Sequence, residues 1–359
     1  MPSRVEALRR VLTERGLGGF LVSNLSNCRY LSGFVGDAGW LLVTDARCGV
    51  AVDSRFWEAA KQQAPDFELL PIKGDLPGWF LRTAAEWGVN RWGIEAEAMS
   101  LAAYQNLTAA IARDQSPVQL VPTTGLLEAQ RSVKEPPEIE LLGKASQLAA
   151  RALDHARSAA RTGMTECELA WEIESFLREN GSETVAFEII ASSGPNCALP
   201  HARPSERRIE AGEPVLLDLG ARLEGYCSDF TRTFCVGKPS PKLVKVHSIV
   251  LGAQLTALAT IQSGMTGEQA DQLARTVINQ AGYEQTFGHG LGHGVGLDVH
   301  EWPRVGARSQ DVLVDGMVFT IEPGIYLPGW GGVRIEDTVV MEGGRARPLA
   351  EADKSLEAR

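Results

Sequence analysis

The first 125 residues alternate short apolar runs with longer segments in which apolar residues recur every three or four positions. Short apolar runs bounded by glycine or charged residues predict strands, and the longer periodic segments predict helices. The predicted strands cover residues 18–23, 39–45, 48–54, 91–95 and 118–122, and the predicted helices cover a first segment through Arg10 and residues 55–63, 76–87 and 101–112. This alternation predicts a layered α/β domain.

The composition changes after residue 125. The chain becomes charged and reaches Glu135-Pro136-Pro137, where two prolines interrupt regular structure and Pro137 suits the first turn of a new helix. We place a domain boundary near residue 130, which gives an N-terminal α/β domain at 1–129 and a second domain at 130–359. A long helix with one apolar stripe is predicted from Pro137 to Arg161.

The second domain contains an internal repeat. Gly-Met-Thr at 163–165 and again at 264–266 opens a helical segment, and each segment begins with a capping box, Thr165 with Glu168 and Thr266 with Gln269. Further along, the apolar strand at 212–220 resembles the one at 316–324, and each contains a carboxylate. The order is the same in both halves, which predicts a duplicated unit with an internal two-fold axis.

Composition restricts the possible partners. The chain has 359 residues, 44% of them hydrophobic and 22% charged, as is typical of a soluble globular protein. Its net charge is −10 and it has no basic stripe, so nucleic acid is not an expected partner. No apolar run approaches the roughly 18 residues that a membrane span needs, and the N-terminus reads as an amphipathic helix rather than a signal peptide. Six dispersed cysteines without CxxC spacing indicate reduced thiols and a cytoplasmic protein.

The segment at 288–303 contains three of the six histidines, His289, His293 and His300, with glycines between them. Each glycine disfavours a helix by about 1 kcal/mol relative to alanine, so a zinc-protease helix is excluded. An extended segment is predicted instead, in which glycines let the backbone approach a neighbour closely. Imidazoles clustered in this way are typical of metal binding or of acid–base chemistry.

Two predicted hairpins each carry a pair of acids. Asp218 and Asp229 lie at equal distances from a turn centred between residues 223 and 224, and Glu322 and Glu336 lie at equal distances from Gly329. Residues equidistant from a turn share a face, about 5 Å apart. Four acids buried together cannot all stay ionised without cations.

Two divalent metal ions would neutralise these four acids, and His293 would complete a ligand set rich in oxygen. Such a set is typical of a site for Mn²⁺, Co²⁺ or a similar ion rather than of a thiolate zinc site. The alternative is a set of structural ion pairs between the acids and Arg222, Arg232 and Arg334.

These motifs resemble those of M24 metallopeptidases with the pita-bread fold, and within that group those of Xaa-Pro dipeptidases (prolidases) and aminopeptidases P. The resemblance extends over the whole chain, with a weaker match at 30–44. It implies an α+β fold, in which a creatinase-like α/β N-terminal domain precedes a duplicated pita-bread catalytic domain. The matching stretches are 193–204, 216–234, 288–303, 319–326 and 331–340.

The resemblance also implies the metal ligands, with all five family positions filled. Asp229 and Glu336 would bridge two divalent ions, Asp218 would complete the shell of one, and His293 and Glu322 would bind the other. Mn²⁺ is the first expectation, and Co²⁺ and Zn²⁺ are alternatives. A bridging hydroxide would attack the scissile carbonyl, with Glu322 accepting a proton from the bridging water.

Five further residues are candidates for substrate contact, and four of them match positions of the family. His201 and His300 would bind the substrate and steady the tetrahedral oxyanion. His289 and Arg334 match positions near the pocket for proline, and Tyr326 could pack against the proline ring. The alternatives are a core aromatic for Tyr326 and a structural ion pair for Arg334. His247 has no motif partner, and we expect it at the surface.

The implied function is hydrolysis of the N-terminal Xaa-Pro bond of dipeptides or short peptides, a tertiary amide without an N–H. A dipeptidase must also recognise a free carboxylate, for which Arg203 and Arg55 are candidates. The alternatives are an M24 aminopeptidase without strict proline preference and a non-catalytic pita-bread binding module, although the intact ligand set argues against the latter. Family members often form homodimers, and we expect the same here.

Overall fold

The computed structural model describes residues 3–357, and the chain divides into two compact units between Arg131 and Ser132. The first unit is built on a six-stranded mixed sheet with the strand order β4-β3-β2-β1-β5-β6. Its strands are β1 Gly19–Val22, β2 Trp40–Thr44, β3 Cys48–Val52, β4 Glu68–Pro71, β5 Arg91–Glu95 and β6 Gln119–Thr123. Its helices are α1 Arg4–Glu14, α2 Leu25–Ser32, α3 Trp57–Gln63, α4 Leu76–Glu86, α5 Leu101–Arg113 and α6 Leu126–Ser132, the last of which ends one residue past the division.

The predicted strands and helices of this region are all confirmed, but three elements were missed. Helices α2 and α6 and strand β4 span only 8, 7 and 4 residues. Elements this short contain few apolar positions and so give a weak pattern, although α3 and β1, at 7 and 4 residues, were predicted. Helix α2 is instead defined by its ends, since the Asn24 side chain accepts a hydrogen bond from the Asn27 amide and Gly33 closes the helix at a φ of 78°.

The second unit contains four α-helices in its described part: α7 Pro136–Ala159, α8 Glu166–Glu179, α9 Pro241–Thr260 and α10 Gly267–Gln280. Its sheets have the strand orders β11-β8-β7 and β13-β12-β14-β17-β18, with two-stranded ribbons β9-β10 and β15-β16. The strands are β7 Ile190–Ser193, β8 Val215–Leu219, β9 Arg222–Leu223, β10 Tyr226–Cys227, β11 Phe230–Phe234, β12 Gly292–Gly294, β13 Glu301–Val305, β14 Val318–Ile321, β15 Gly324–Leu327, β16 Gly331–Arg334, β17 Asp337–Glu342 and β18 Arg345–Pro348, and a 3₁₀ helix covers Gly194–Ala198.

Each half of this unit has its own hydrophobic core. Residues of α7, α8, β8 and β11 form one core, and residues of α9, α10, β14 and β17 form the other. Both predicted capping boxes are present, with the hydroxyls of Thr165 and Thr266 accepting from the amides of Glu168 and Gln269. The two helices that follow the repeated Gly-Met-Thr therefore begin in the same way.

Helix α9 corrects two expectations. By length and composition alone it is apolar enough to cross a membrane, whereas no such segment was expected. Its apolar face, including Val246 and Val250, is buried in the core of the second half. A core helix of a soluble protein can have the same length and apolar composition as a membrane span. The expectation that His247 lies at the surface is also wrong, because its side chain is buried. Burial lowers the pKa of His247 to about 4.

The glycine-rich segment is not helical, as predicted, and it is extended at residues 292–294 and 301–303, with a bent loop between them. Its central part forms β12, which pairs with β13 on one side and β14 on the other. A Cβ atom at Gly292 would lie 2.0 Å from the carbonyl oxygen of Thr320, and one at Gly294 would lie 2.0 Å from that of Trp302. The glycines are therefore needed for the close approach of neighbouring backbones.

We expect Gly294→Ala to lower the free energy of unfolding by about 1–3 kcal/mol, because the added methyl group must displace a strand carbonyl. The matched control is Gly288→Ala, whose Cβ would meet no atom within 4 Å in the described structure. Thermal unfolding of both variants, in a chelator so that metal binding does not contribute, measures the difference. Equal midpoints for the two variants would contradict this account of the glycines.

Candidate metal centre

The first acidic hairpin differs from its prediction by two residues. Asp218 on β8 pairs with Thr231 on β11, not with Asp229. The turn consists of Glu224 and Gly225, both with positive φ, which shifts its centre by one position. Because side chains alternate with a period of two, Asp229 still shares a face with Asp218.

The second acidic hairpin has the predicted register. Ile321 pairs with Asp337 and Gly324 pairs with Arg334, so both ladders are centred on the same turn. Glu322 and Glu336 therefore lie opposite each other, in the interruption between the two ladders.

Thr231 joins the two halves of the unit. It pairs with Asp218 within the first sheet and makes an isolated bridge to Glu336 of the second half. Its hydroxyl donates to the Glu336 carboxylate. One row of cross-strand neighbours thus carries acids from both hairpins.

His293 completes the cluster. Its Nε2 lies 3.5 Å from Asp229 Oδ2 and 3.4 Å from Glu322 Oε1. Asp229, His293 and Glu336 each offer a ligand atom, and these three atoms all lie within 4.8 Å of one another. These three residues line one cavity of about 580 Å³ together with Asp218 and Glu322, so all five predicted ligands face the same space.

The acids of the cluster are buried close together, and this shifts their pKa values. Burial raises the pKa of Asp229 and of Glu336 well above the usual range, and neighbouring carboxylates raise both further. Burial also raises the pKa of Glu322, to about 8. Burial and nearby His300 lower the pKa of His293 to about 4, so its imidazole is neutral and able to act as a ligand. Bound cations would keep the acids ionised.

Arg334 neutralises part of this charge. Its Nη2 lies 2.6 Å from Asp218 Oδ2, and its Nη1 donates to the hydroxyl of Tyr326. Among residues 3–357, the second oxygen of Asp218, Oδ1, is buried and has no hydrogen-bond partner. A buried acceptor without a donor suits a cation, and the residues present therefore fit divalent ions.

The alternative of three neutralising arginines is wrong for two of them. Arg232 pairs with Asp337 at 2.6 Å, and the Nε of Arg222 donates to the carbonyl of Gly225.

The predicted substrate-contacting residues fall into two groups. His201, His289, His300 and Arg334 line the cavity, with the His300 ring centroid 4.2 Å from that of His293. Tyr326 is buried, and the cavity wall defined within residues 3–357 does not include it. Its hydroxyl instead contacts His289 Nε2 and Arg334 Nη1, each at 2.8 Å. Tyr326 therefore contacts two residues of the cavity wall, His289 and Arg334, from behind the wall.

Two threonines were missed by the sequence analysis. Thr231 contacts Glu336 and also accepts from Arg334 Nε, and the Thr320 hydroxyl donates to Glu322 and accepts from the His293 amide. Each lies in a buried strand, Thr231 between Phe230 and Arg232 and Thr320 between Phe319 and Ile321. A hydroxyl in a strand predicted to be buried was the available signal, since it needs a partner there.

Comparison with known proteins gives a consistent result. The model of metallopeptidase family M24 matches residues 140–342, and the creatinase/prolidase N-terminal domain model matches residues 4–133. The chain is 34% identical to an Xaa-Pro dipeptidase of Pyrococcus horikoshii over 99% of each chain. It is similar in structure to an Xaa-Pro dipeptidase from Bacillus anthracis, with a TM-score of 0.94, 39% identity and 98% of each chain covered. It also resembles an X-Pro aminopeptidase from Thermotoga maritima, with a TM-score of 0.87, 36% identity, and 96% of this chain and 98% of that one covered.

Proposed function

The chain belongs to metallopeptidase family M24, and from that membership we propose that it hydrolyses the N-terminal Xaa-Pro bond of dipeptides or short peptides. One observation carries the proposal: two acidic hairpins and His293 converge on a single cavity. Its relatives include Xaa-Pro dipeptidases and an X-Pro aminopeptidase, which supports the substrate class.

The five clustered ligands would hold two divalent ions, for which we propose Mn²⁺, with Co²⁺ and Zn²⁺ as alternatives. Asp229 and Glu336 would be shared between the ions, Asp218 would bind one, and His293 and Glu322 would bind the other. Bound there, the ions would lower the pKa of a water molecule, so that it could lose a proton and act as a nucleophile, and they would polarise the scissile carbonyl. The buried, unpartnered oxygen of Asp218 supports this assignment.

The protein side chains would provide binding and proton transfer. Glu322 faces the cavity with one oxygen held by the Thr320 hydroxyl, and we assign it as the proton acceptor. His201 and His300 are exposed at the cavity wall, where they would donate to the substrate carbonyl oxygen as negative charge develops on it. His289 and Arg334 would line the proline side, held in place by Tyr326.

Substrate length depends on whether a cation recognises the free carboxylate of a dipeptide. Of the two candidate arginines, Arg203 lines the cavity, and its side chain is 82% exposed with one contact to Glu188 at 3.4 Å. Arg55 belongs to the first unit and pairs with Asp53 on the surface. Arg203 is therefore the better candidate.

The experiment is hydrolysis of Ala-Pro, Ala-Pro-Ala and Met-Ala-Ala with Mn²⁺, followed by release of free amino acids. Cleavage of Ala-Pro alone identifies a dipeptidase, and cleavage of Ala-Pro-Ala identifies an aminopeptidase P. Efficient cleavage of Met-Ala-Ala would favour an M24 aminopeptidase without proline preference. No hydrolysis by metal-loaded protein would refute the proposal and favour the non-catalytic binding module.

We further propose that the protein works in the cytoplasm and as a homodimer. Within residues 3–357 none of the six cysteines forms a disulfide, and four of them are buried, as suits a reducing compartment. The homodimer is an extension from the family, and size-exclusion chromatography with light scattering tests it.

A further inference from the structure

We infer that Lys134 and Glu301 are positioning residues that fix His300 in the wall of the cavity. Lys134 Nζ lies 2.7 Å from Glu301 Oε1, and the two side chains are only 1% and 6% exposed. Glu301 directly follows His300 in the chain. The inference rests on the proposed function, since it assumes that His300 contacts the substrate.

A buried ion pair is a poor way to gain stability. Removing two charges from water is so unfavourable that an apolar pair of similar volume often stabilises a fold as well or better. What a buried ion pair does provide is a single geometry, because neither charge can move without losing its partner. The Lys134–Glu301 pair is therefore better suited to holding a segment in place than to adding stability.

The segment that Glu301 holds is the loop between β12 and β13. Glu301 pairs with Gly294 where the ladder becomes irregular, so it closes the loop that contains His300. Near the start of the loop, the Gly296 carbonyl accepts from the amide of Cys227 at 2.8 Å. A Cβ at Gly296 would lie 2.2 Å from Glu301 Oε1, so the absence of a side chain there makes room for the carboxylate.

Lys134 is a fixed anchor for this loop. Its backbone amide donates to the carbonyl of Gly316 at 2.9 Å, and Val133 beside it bridges to Met317. Helix α7 begins two residues later, with a capping box between Glu135 and Glu138. Because the lysine backbone is held on both sides, its ammonium group has a defined position.

The test is a double-mutant cycle with His300. We expect Glu301→Gln and Lys134→Met each to lower kcat/KM for Ala-Pro by about 30-fold in the native background, as coupled neighbours do. In a His300→Ala background, the same changes should lower it by less than about 3-fold, because the residue they position is gone. Bound metal should be unchanged in all variants, since none of the three is among the five clustered ligands.

The matched control is Lys144→Met, which removes an exposed lysine of α7 that pairs with Glu140 at 2.7 Å. It should leave kcat/KM unchanged in both backgrounds. Glu301→Gln keeps the size of the side chain and its ability to accept a hydrogen bond, so it tests the inference even where Lys134→Met fails to fold.

Two results would overturn the inference: equal losses in both backgrounds, which indicate a general structural role, or no loss in the native background. Failure of the unmodified protein to cleave Ala-Pro would instead refute the proposed function.

Discussion

Glu336→Ala is expected to remove bound metal and to reduce kcat/KM for Ala-Pro by roughly 1000-fold or more. Glu336 lies in the row that joins the two hairpins, between Thr231 and Glu322, and it shares a ligand cluster with Asp229 and His293. Its loss would remove the carboxylate that we assign to both ions. Metal analysis by mass spectrometry and peptide hydrolysis on the same sample measure the two effects together. Asp229→Ala should behave in the same way.

The matched control for Glu336 is Glu342→Ala, which removes a carboxylate near the end of β17 that is 63% exposed and pairs with Arg347. Metal content and activity should both be unchanged in this variant. An inactive Glu336→Ala protein with full metal content would show that Glu336 does not hold the ions.

His201→Ala is expected to retain bound metal and to lose about 100- to 1000-fold in kcat, the range for removing one donor to a developing oxyanion. His201 lines the cavity but lies outside the cluster of Asp229, His293 and Glu336. Its loss should therefore affect turnover without affecting the ions. Steady-state kinetics with Ala-Pro and metal analysis of the same preparation test both parts.

His155→Ala is the histidine control for this prediction. His155 lies on α7, with its ring stacked on Phe176 at 4.7 Å, and it is not among the cavity-lining residues of the described chain. We expect no change in kcat or metal content. Loss of most bound metal from the His201 variant would mean that His201 is a ligand, and the assignment of the five ligands would then be wrong.

The sequence predicted the second acidic hairpin better than the first. Pro328, Gly329 and the glycines after Trp330 leave one position for the turn, so Glu322 and Glu336 were assigned to opposite strands in the correct register. Around Glu224 the turn signal is weaker, and a one-position error in its centre displaced the partner of Asp218 by two residues. The acids stayed on one face only because the displacement was even.

The sequence by itself determined the features that depend on neighbours along the chain. These are most strands and helices of the first unit, the two predicted capping boxes, the extended glycine segment and the identity of the acids and histidines. Each follows from residues within a few positions, whose hydrogen bonds and steric limits are local.

Only the tertiary structure decided which distant groups meet. Arg334 contacts Asp218 from 116 positions away, the Thr231 hydroxyl reaches Glu336 across 105, and Lys134 reaches Glu301 across 167. The same packing buried His247, which no local pattern indicated. These contacts depend on how strands and helices of the two halves pack together, and that packing is set by the whole core rather than by any short stretch of sequence.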